Sequence, residues 1–385
     1  MHIPELSDFV LKVNKLEKFT VQLWEIINKL QRKQRKMTQL NVGIVGTGIF
    51  ARDRHLPSYQ ELPDNFKVVA VFNRHKAKAL NFAEIADVPE NKVYDNVVEI
   101  LNDSNVDFID ALLPVQFNVD IVEKAVRAGK PVLFEKPIAA NLEQAKEIVR
   151  LADSTPIPIG VAENWLYLPC VKTAKEQIKK IAPVLAFTHN STGPFVADSK
   201  YLATTWRQKP EHIGGFLSDG GVHQLALVTS LLGELGSVSA LTRQVREISG
   251  ADDIVFATVQ LKDTDVIGSF TYGSAFGATE KSTFLKVYGK NGTVTIDLSD
   301  KRNPVVKVKL GSSAEDEGDE QIFKVDNDES FGVNGEFLNF HEAVSKKDKS
   351  LYLGAPRVAF HHLACVDAFL KSSAKNGDSI KVEQP

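Results

Sequence analysis

The stretch from Leu40 to Ala51 reads LNVGIVGTGIFA and decides the fold of this chain. Its first half is apolar and predicts a short buried β-strand. The strand runs directly into a G-x-G-x-x-A pattern that starts at Gly46. The first glycine of such a pattern permits a tight turn, the second lets the backbone approach a pyrophosphate, and the small last residue lets a helix pack on the strand. The stretch therefore predicts a phosphate-binding loop between a strand and a helix.

The residues that follow support dinucleotide binding. A helix-compatible segment runs to about Gln60, and a second apolar strand covers residues 67–72. A strand, a glycine-rich loop, a helix and a second strand in this order are the context that the pattern requires. We expect five consecutive loop residues to bind the cofactor: Gly46, Thr47, Gly48, Ile49 and Phe50.

The end of the second strand indicates which dinucleotide binds. An NAD site usually carries an Asp or Glu at this point, which holds the ribose 2′-hydroxyl. This chain has Asn73 and Arg74 instead, with Lys78 close by. Arg74 can bind a 2′-phosphate with charge-assisted hydrogen bonds, and Asn73 can bond the ribose or the phosphate. We predict NADP(H) as the cofactor; a solvated basic turn is the alternative.

The remainder of the first half alternates strand and helix patterns. Apolar runs recur at 108–113, 132–134 and 157–162, with helical patterns at 76–85, 118–128 and 142–152. This alternation predicts a doubly wound parallel sheet with right-handed crossovers, in a Rossmann domain over residues 39–162. The loop that contains Leu113, Pro114 and Asn118 follows one of these strands, and we expect it to lie under the nicotinamide end of the cofactor.

The segment Pro131 to Pro137, PVLFEKP, places an acid and an amine at the end of a buried strand. The carboxyl ends of parallel strands face the ligand crevice of an open α/β sheet. Pro137 ends the strand and fixes the direction of Lys136. A lysine there can polarise a carbonyl or stabilise an alkoxide. The alternative is a surface pair of Glu135 and Lys136.

A third motif lies in the second half, where residues 212–232 read HIGGFLSDGGVHQLALVTSLL. Asp219 and His223 are four residues apart, so they share a face if a helix has begun there. Histidine is the side chain best suited to proton transfer near neutral pH. The alternative is an Asp that caps a helix whose first turn carries a structural His.

The three motifs in this order resemble the glucose–fructose oxidoreductase, inositol dehydrogenase and rhizopine-catabolism (Gfo/Idh/MocA) family, in its fungal NADP-dependent type. The resemblance covers roughly residues 40–385. It implies that Lys136, Asp219 and His223 line the substrate site and are the catalytic residues. It also implies cofactor-binding roles for four further residues: Glu135, Asn164, Trp206 and Arg207.

This sequence departs from the family pattern at two positions. Many members have an Arg where Leu166 stands, and a His is common where Asn118 stands. These departures put the identity of the substrate in doubt, while the cofactor loop and the proton-transfer residues remain.

The chain beyond Ala162 changes character. Short alternating runs at 184–188, 238–245, 256–261, 266–272, 284–288, 293–298 and 305–310 predict strands, and helical patterns return at 330–344 and 356–371. Residues 163–385 are therefore predicted to form an α+β domain that binds substrate, built on a large mixed or antiparallel sheet. One sheet face would be covered by helices. The other could join subunits in a homodimer or a higher homo-oligomer.

Composition favours a globular enzyme of small-molecule substrates. The chain has 385 residues, a net charge of −3 and 43% hydrophobic residues, without a dominant basic patch for nucleic acid or for a membrane surface. Its 2 cysteines do not form a disulfide framework, and its 9 histidines lack metal-ligand spacing. We expect a cytoplasmic protein without a bound metal.

Residues 1–38 are predicted to be an extension outside the catalytic core. Residues 9–36 suggest a basic, amphipathic helix, and Met37 precedes the first strand by a few residues. Our preferred interpretation is an appended segment with Met37 as the functional start. A targeting helix or a partner-binding helix is the alternative.

Two functions of different classes remain at this point. The first is an NADP(H)-dependent oxidoreductase that acts on a small hydroxyl or carbonyl compound, such as a sugar, polyol, aldehyde or ketone. The second is a non-catalytic NADP-sensing regulator, since a yeast galactose-pathway repressor resembles the same family. The presence of Lys136, Asp219 and His223 favours the enzyme.

Overall fold

In the computed structural model, which describes residues 39–199, 205–325 and 329–385, six parallel strands form the sheet that carries the glycine-rich loop. They are β1 (Leu40–Val45), β2 (Phe66–Phe72), β3 (Val93–Tyr94), β4 (Phe108–Ala111), β5 (Val132–Glu135) and β6 (Ile159–Ala162). Their order in this first sheet is β3-β2-β1-β4-β5-β6, which is the doubly wound order. The predicted Rossmann architecture is confirmed. The predicted extension, residues 1–38, lies outside the described residues.

Helices cover both faces of the first sheet. They are Leu56–Glu61, Lys76–Ile85, Val97–Asn102, Asn118–Arg127 and Leu142–Ser154. Strands β4 and β6 are buried at every position because helices lie on both of their faces. The helix after the glycine-rich loop opens with a π-helical turn, Ala51–His55, and π-helical turns are frequent at functional sites.

Nine strands of the described residues form a second, mixed sheet. They are β7 (Val184–Pro194), β8 (Leu235–Arg243), β9 (Ile254–Leu261), β10 (Ile267–Phe276), β11 (Ser282–Gly289), β12 (Gly292–Asp297), β13 (Val305–Leu310), β14 (Gln321–Lys324) and β15 (Ile380–Lys381). Their order is β14-β13-β12-β11-β7-β10-β9-β8-β15. Strands β7 and β10 pair in parallel, and the remaining pairs are antiparallel. The predicted α+β character of the second half is confirmed.

Among the described residues, the helices Pro169–Ile178 and Pro356–Ser373 pack on the second sheet, and the helix Gly221–Leu232 packs against both of them. The strands alternate accordingly, with every second residue buried along β9. The helix Pro356–Ser373 contributes a large part of this core, since most of its residues are buried. The helix Gly221–Leu232 carries His223 at its first turn and so fixes this side chain to the scaffold.

A further helix, Val333–Lys346, returns to the first sheet. Its Phe337 stacks on Tyr59, and its Phe340 contacts Phe108 of β4. The helix therefore belongs to the hydrophobic core of the Rossmann half, although it follows the second sheet in sequence. Among the described residues, no helix is both long and apolar enough to cross a membrane.

Candidate active site

A cleft of about 720 Å³ brings the three sequence motifs together. Its walls include these residues that the sequence analysis selected: Gly48, Ile49, Phe50, Leu113, Pro114, Glu135, Lys136, Asn164, Arg207, Asp219 and His223. They come from the glycine-rich loop, the ends of β4, β5 and β6, and the start of the helix that carries His223. The carboxyl edge of the first sheet thus forms one side of the cleft, as expected of an open α/β sheet.

The glycine-rich loop has the shape that a pyrophosphate needs. Gly46 adopts a φ of +98°, and a Cβ there would collide with the carbonyl oxygen of Leu112. Gly48 lines the cleft, and a Cβ built on it would meet nothing within 4 Å. The loop therefore offers backbone next to open space. It fits the phosphates of a dinucleotide.

The polar residues at the end of β2 are tied to this loop. The Asn73 amide donates to the Thr47 hydroxyl over 2.8 Å. Arg74 is exposed, and Lys78 lines the cleft. The segment therefore lies beside the loop with two cationic side chains and without a carboxylate at the position that grips a 2′-hydroxyl in NAD sites.

Asn118 lies beside the cleft and supports the turn after β5. It is fully buried, and its amide donates to the backbone oxygens of Glu135, Pro137 and Ile138 over 3.1 to 3.3 Å. It is not among the residues that line the cleft. The side chain holds the turn that presents Lys136, because its donor group satisfies backbone acceptors that would otherwise be unpaired. Its contact with a cofactor stays a prediction.

Lys136 lies at the centre of the cleft in a charged triad. Its ammonium donates to the Asp219 carboxylate over 2.8 Å and to the Asp219 backbone oxygen over 2.6 Å. Arg207 donates to the other carboxylate oxygen over 2.7 Å. Burial alone would raise the pKa of Asp219, but the two cations outweigh it and hold this pKa well below its usual range.

The glycines of the third motif let this triad form. Gly220 follows Asp219, and a Cβ on it would collide with the hydroxyl of Tyr272 on β10. A side chain at this position would push the segment away from the sheet. The glycine therefore allows the close approach that aims the Asp219 carboxylate at Lys136.

His223 forms a pair with a carboxylate that the sequence analysis missed. The carboxylate of Glu163, next after β6, lies 2.6 Å from the Nδ1 atom of His223. Burial would raise the pKa of Glu163, but His223 outweighs it and lowers that pKa. An anionic Glu163 accepts the Nδ1 proton, so the Nε2 atom is left for the cleft. Trp165 stacks on the imidazole with ring centroids 5.7 Å apart and fixes the ring plane.

A second clamped histidine, His55, lies beneath the same cleft and was also missed. Its Nδ1 is 2.7 Å from the Asp110 carboxylate, and its Nε2 is 3.0 Å from the Glu135 carboxylate. Tyr59 donates to the same Asp110 oxygen over 3.0 Å. Burial would lower the pKa of His55, but the two carboxylates outweigh it and raise the pKa to about 10. An imidazolium therefore joins the ends of β4 and β5.

Asn164 and Arg54 connect the two halves of the molecule at the mouth of the cleft. The Asn164 amide donates to the backbone oxygen of Phe331 over 2.7 Å. The Arg54 guanidinium lies 5.2 Å from the centre of the Phe331 ring. Phe331 itself has a φ of +54°, which is unusual for a bulky residue and marks a constrained segment.

The side chain of Trp206, a predicted cofactor-binding residue, lies outside the described residues. Within the described residues, no group of three or more His, Cys, Asp or Glu side chains is arranged to hold a metal ion.

Two family models match most of the chain. The first, described as "Oxidoreductase family, NAD-binding Rossmann fold", matches residues 40–162. The second, described as "Oxidoreductase family, C-terminal alpha/beta domain", matches residues 175–382. Both belong to the glucose–fructose oxidoreductase, inositol dehydrogenase and rhizopine-catabolism group.

Similar proteins agree with these matches. An uncharacterised protein of Saccharomyces cerevisiae is 85% identical over 349 residues, which are 91% of this chain and 100% of that relative. The structure of an oxidoreductase from Thermotoga maritima has a TM-score of 0.78 and 30% identity, and the match covers 89% of this chain and 98% of that one. The structure of a levoglucosan dehydrogenase with NADH and L-sorbose has a TM-score of 0.77 and 20% identity, covering 91% and 100%.

Proposed function

The chain belongs to the Gfo/Idh/MocA oxidoreductase family, and on that basis we propose that it transfers hydride between NADP(H) and a small hydroxyl or carbonyl compound. The substrate would be a sugar, polyol, aldehyde or ketone. One observation carries the proposal: Lys136, held by Asp219, and His223, held by Glu163, line one cleft together with the glycine-rich loop.

The cofactor choice rests on the end of β2. A carboxylate there would repel a 2′-phosphate, whereas Arg74 is exposed and available for charge-assisted hydrogen bonds. Lys78, on the cleft wall nearby, adds a second positive charge. When bound, the dinucleotide would supply or accept the hydride, with its phosphates on the glycine-rich loop.

The chain's own groups would handle the charge and the proton. The Lys136 ammonium would hydrogen-bond the substrate oxygen and stabilise negative charge on it. The His223 Nε2 atom would donate the proton to this oxygen in reduction and remove it in oxidation. Glu163 keeps the proton of Nδ1 in place and stabilises the imidazolium form, so the ring presents the same atom to the substrate in both directions.

The alternative, an NADP-sensing regulator without activity, is not favoured. A regulator needs the glycine-rich loop, but it has no use for a lysine and a histidine whose carboxylate partners aim them into the cleft.

The test is a substrate screen with the purified protein. NADPH oxidation is followed with aldehydes, ketones and sugars, and NADP⁺ reduction is followed with polyols and sugars. We expect turnover of at least one class, with NADPH preferred over NADH. NADPH binding without turnover of any compound in the panel would favour the regulator.

We also propose that the chain forms a homo-oligomer through the outer face of the second sheet. Leu241 of β8 and Phe256 of β9 are cross-strand partners and are 60% and 51% exposed. Ile267 of β10 is exposed as well. Apolar side chains that adjoin on an uncovered sheet favour association. Light scattering after gel filtration should give at least a dimer, and Phe256→Asp should shift it to the monomer; a monomeric wild-type protein would contradict the proposal.

The cytoplasmic location also stays a proposal. Its support is that Cys170 and Cys365 are both free and buried, as expected of a protein in a reducing compartment. Imaging of a C-terminally tagged chain would test it, and accumulation in an organelle would contradict it.

A further inference from the structure

We propose that the substrate carries an anionic group, a carboxylate or a phosphate, which binds between Arg54 and Lys301 in the cleft, beside the Lys136 ammonium that holds the reacting oxygen. This inference rests on the proposed oxidoreductase function and narrows its substrate class. The three cations come from the helix after the glycine-rich loop, from the end of β5, and from the turn between β12 and β13. Both halves of the molecule would therefore contribute to one anion site.

Lys301 lies over the aromatic ring that fixes the His223 imidazole. Its ammonium is 5.2 Å from the centre of the Trp165 ring, and the centroids of the Trp165 and His223 rings are 5.7 Å apart. Lys301 and His223 therefore contact the same indole ring. An anionic group held by Lys301 would belong to the same small molecule as the reacting carbon.

Arg54 approaches the same region from the Rossmann side. Its guanidinium lies over the Phe331 ring and donates to the backbone oxygen of Glu329 over 3.4 Å. Among the described residues, no ion pair joins Arg54 to a carboxylate. A planar guanidinium that packs on an aromatic ring keeps its edge for a carboxylate or a phosphate.

The charges that line the cleft favour an anion. Arg54, Lys136, Arg207 and Lys301 are its cationic side chains at this end, and Asp219 and Glu135 are its carboxylates. Asp219 already accepts hydrogen bonds from Lys136 and Arg207, and Glu135 accepts from His55. Arg54 has no carboxylate partner among the described residues, so an anionic substrate would meet a positive charge there that these two carboxylates do not already balance.

The cations also act on one another electrostatically. Lys301 is exposed on the cleft wall. Loss of hydration, together with repulsion from Lys281, Arg54 and Lys136, lowers the pKa of Lys301. An anion bound between Arg54 and Lys301 would relieve part of this repulsion.

The first experiment compares matched compounds that differ in the anionic group alone. NADPH oxidation is measured with D-glucuronate against D-glucose, and with D-glyceraldehyde 3-phosphate against D-glyceraldehyde. We expect a kcat/KM about 10- to 100-fold higher for the anionic member of at least one pair, since a hydrogen bond to a charged group contributes on that order. The first pair reports a carboxylate site, and the second reports a phosphate site.

The second experiment uses variants. Lys301→Gln and Arg54→Gln should each reduce the preference for the anionic member about 3- to 30-fold, while the Kd of NADPH stays unchanged. Lys290→Gln is the matched control, because Lys290 is an exposed lysine in another turn of the second sheet. A loss of NADPH affinity in Arg54→Gln and Lys301→Gln would instead assign these residues to the cofactor and overturn the proposal.

A binding measurement separates this inference from the function on which it rests. Tryptophan fluorescence of the protein saturated with NADP⁺ is titrated with D-gluconate, inorganic phosphate and D-glucitol. Tighter binding of an anion than of glucitol, lost in Lys301→Gln, would support the anion site even if no compound is turned over. Turnover of neutral sugars with no preference for the anionic partners would refute the anion site and leave the oxidoreductase function intact.

Discussion

Two histidines in the described part of the chain are held by carboxylates, and the two sites differ in how many ring nitrogens are engaged. His55 has both ring nitrogens engaged, by Asp110 and Glu135, and its side chain is 1% exposed. His223 has its Nδ1 engaged by Glu163, lines the cleft, and is 19% exposed. A carboxylate partner alone therefore does not identify a catalytic histidine. The ring must also keep one nitrogen toward the substrate.

The two sites also differ in the role of the ion pair. At His55 one imidazolium lies between two acids at the carboxyl ends of neighbouring strands and offsets their mutual repulsion. At His223 the single carboxylate fixes a tautomer and supports a charge that would come and go during turnover. We therefore expect His55 to contribute to stability and His223 to contribute to catalysis.

The largest expected effect is the loss of activity in His223→Ala. Removal of a general acid or base lowers the rate by about 10²–10⁴. His223→Ala also leaves the buried Glu163 carboxylate without its partner, so its melting temperature should fall as well, whereas His223→Gln keeps a donor for Glu163 and should melt near the wild type. Turnover and thermal melts of the same preparation would check both expectations. Near-normal turnover would remove His223 from the mechanism.

The main effect of His55→Asn is expected on stability. This change leaves the buried Asp110 and the half-buried Glu135 without their cation, and breaking a buried ion pair costs about 3–5 kcal/mol of the free energy of unfolding. Urea unfolding would measure the loss. Tyr59→Phe is the matched control, since it removes a neutral donor to Asp110 and should cost only about 1 kcal/mol. A wild-type unfolding curve for His55→Asn would contradict the design inferred for this site.

The same site predicts a pH dependence. The folded protein holds the His55 proton with a pKa of about 10, above the value of 6.5 for an unperturbed histidine. The stabilisation is therefore fully present below about pH 6.5 and is lost as the pH rises toward 10. The difference in unfolding free energy between the wild type and His55→Asn should shrink between pH 7 and pH 10. A difference that stays constant over this range would show that His55 is not held as a cation.

A smaller effect is expected at the predicted 2′-phosphate site, where the Arg74 side chain is exposed rather than held by a carboxylate. If Arg74 binds the 2′-phosphate, Arg74→Ala should weaken NADPH binding by roughly 10- to 100-fold, because a charge-assisted contact contributes about 1.5–3 kcal/mol. NADH binding should be almost unchanged. Fluorescence titrations with both cofactors decide the matter, and an equal loss for both would point to a general defect of the loop.

The smallest effect is expected from removal of residues 1–36. Strand β1 begins at Leu40, and the carboxylates that hold His55 and His223 lie within residues 110–163. A chain that starts at Met37 should fold, bind NADPH and melt within a few degrees of the full chain. An insoluble truncation, or one that no longer binds NADPH, would show that the extension belongs to the enzyme.

The sequence predicts the parts of the site that lie within short, continuous motifs. The glycine-rich loop, Lys136 after β5, and Asp219 with His223 each lie within a short motif, and their positions follow from the fold that the motifs specify. Glu163 was missed although it follows β6 just as Glu135 ends β5. The rule that selected the end of β5 would have selected Glu163 as well, had it been applied to every parallel strand.

The His55 site has no comparable local signal. Its partners are 55 and 80 residues away in sequence, and a single histidine on a helix is usually a surface or core residue. Asn118 was assigned to the cofactor because of its place after the Pro114 loop, yet its amide turns toward backbone oxygens. Such contacts depend on the direction of a side chain in the packed structure, which spacing along the chain does not fix.

The most direct test of the proposed reaction is the variant Lys136→Met, with NADPH binding and turnover measured on one preparation. Lys136 joins the cofactor wall to the Asp219 triad, so its ammonium should be needed for the reaction and not for the binding of NADPH. We expect a Kd for NADPH within a few-fold of the wild type, together with a turnover reduced by about 10²–10⁴. Turnover close to that of the wild type would contradict the proposed reaction.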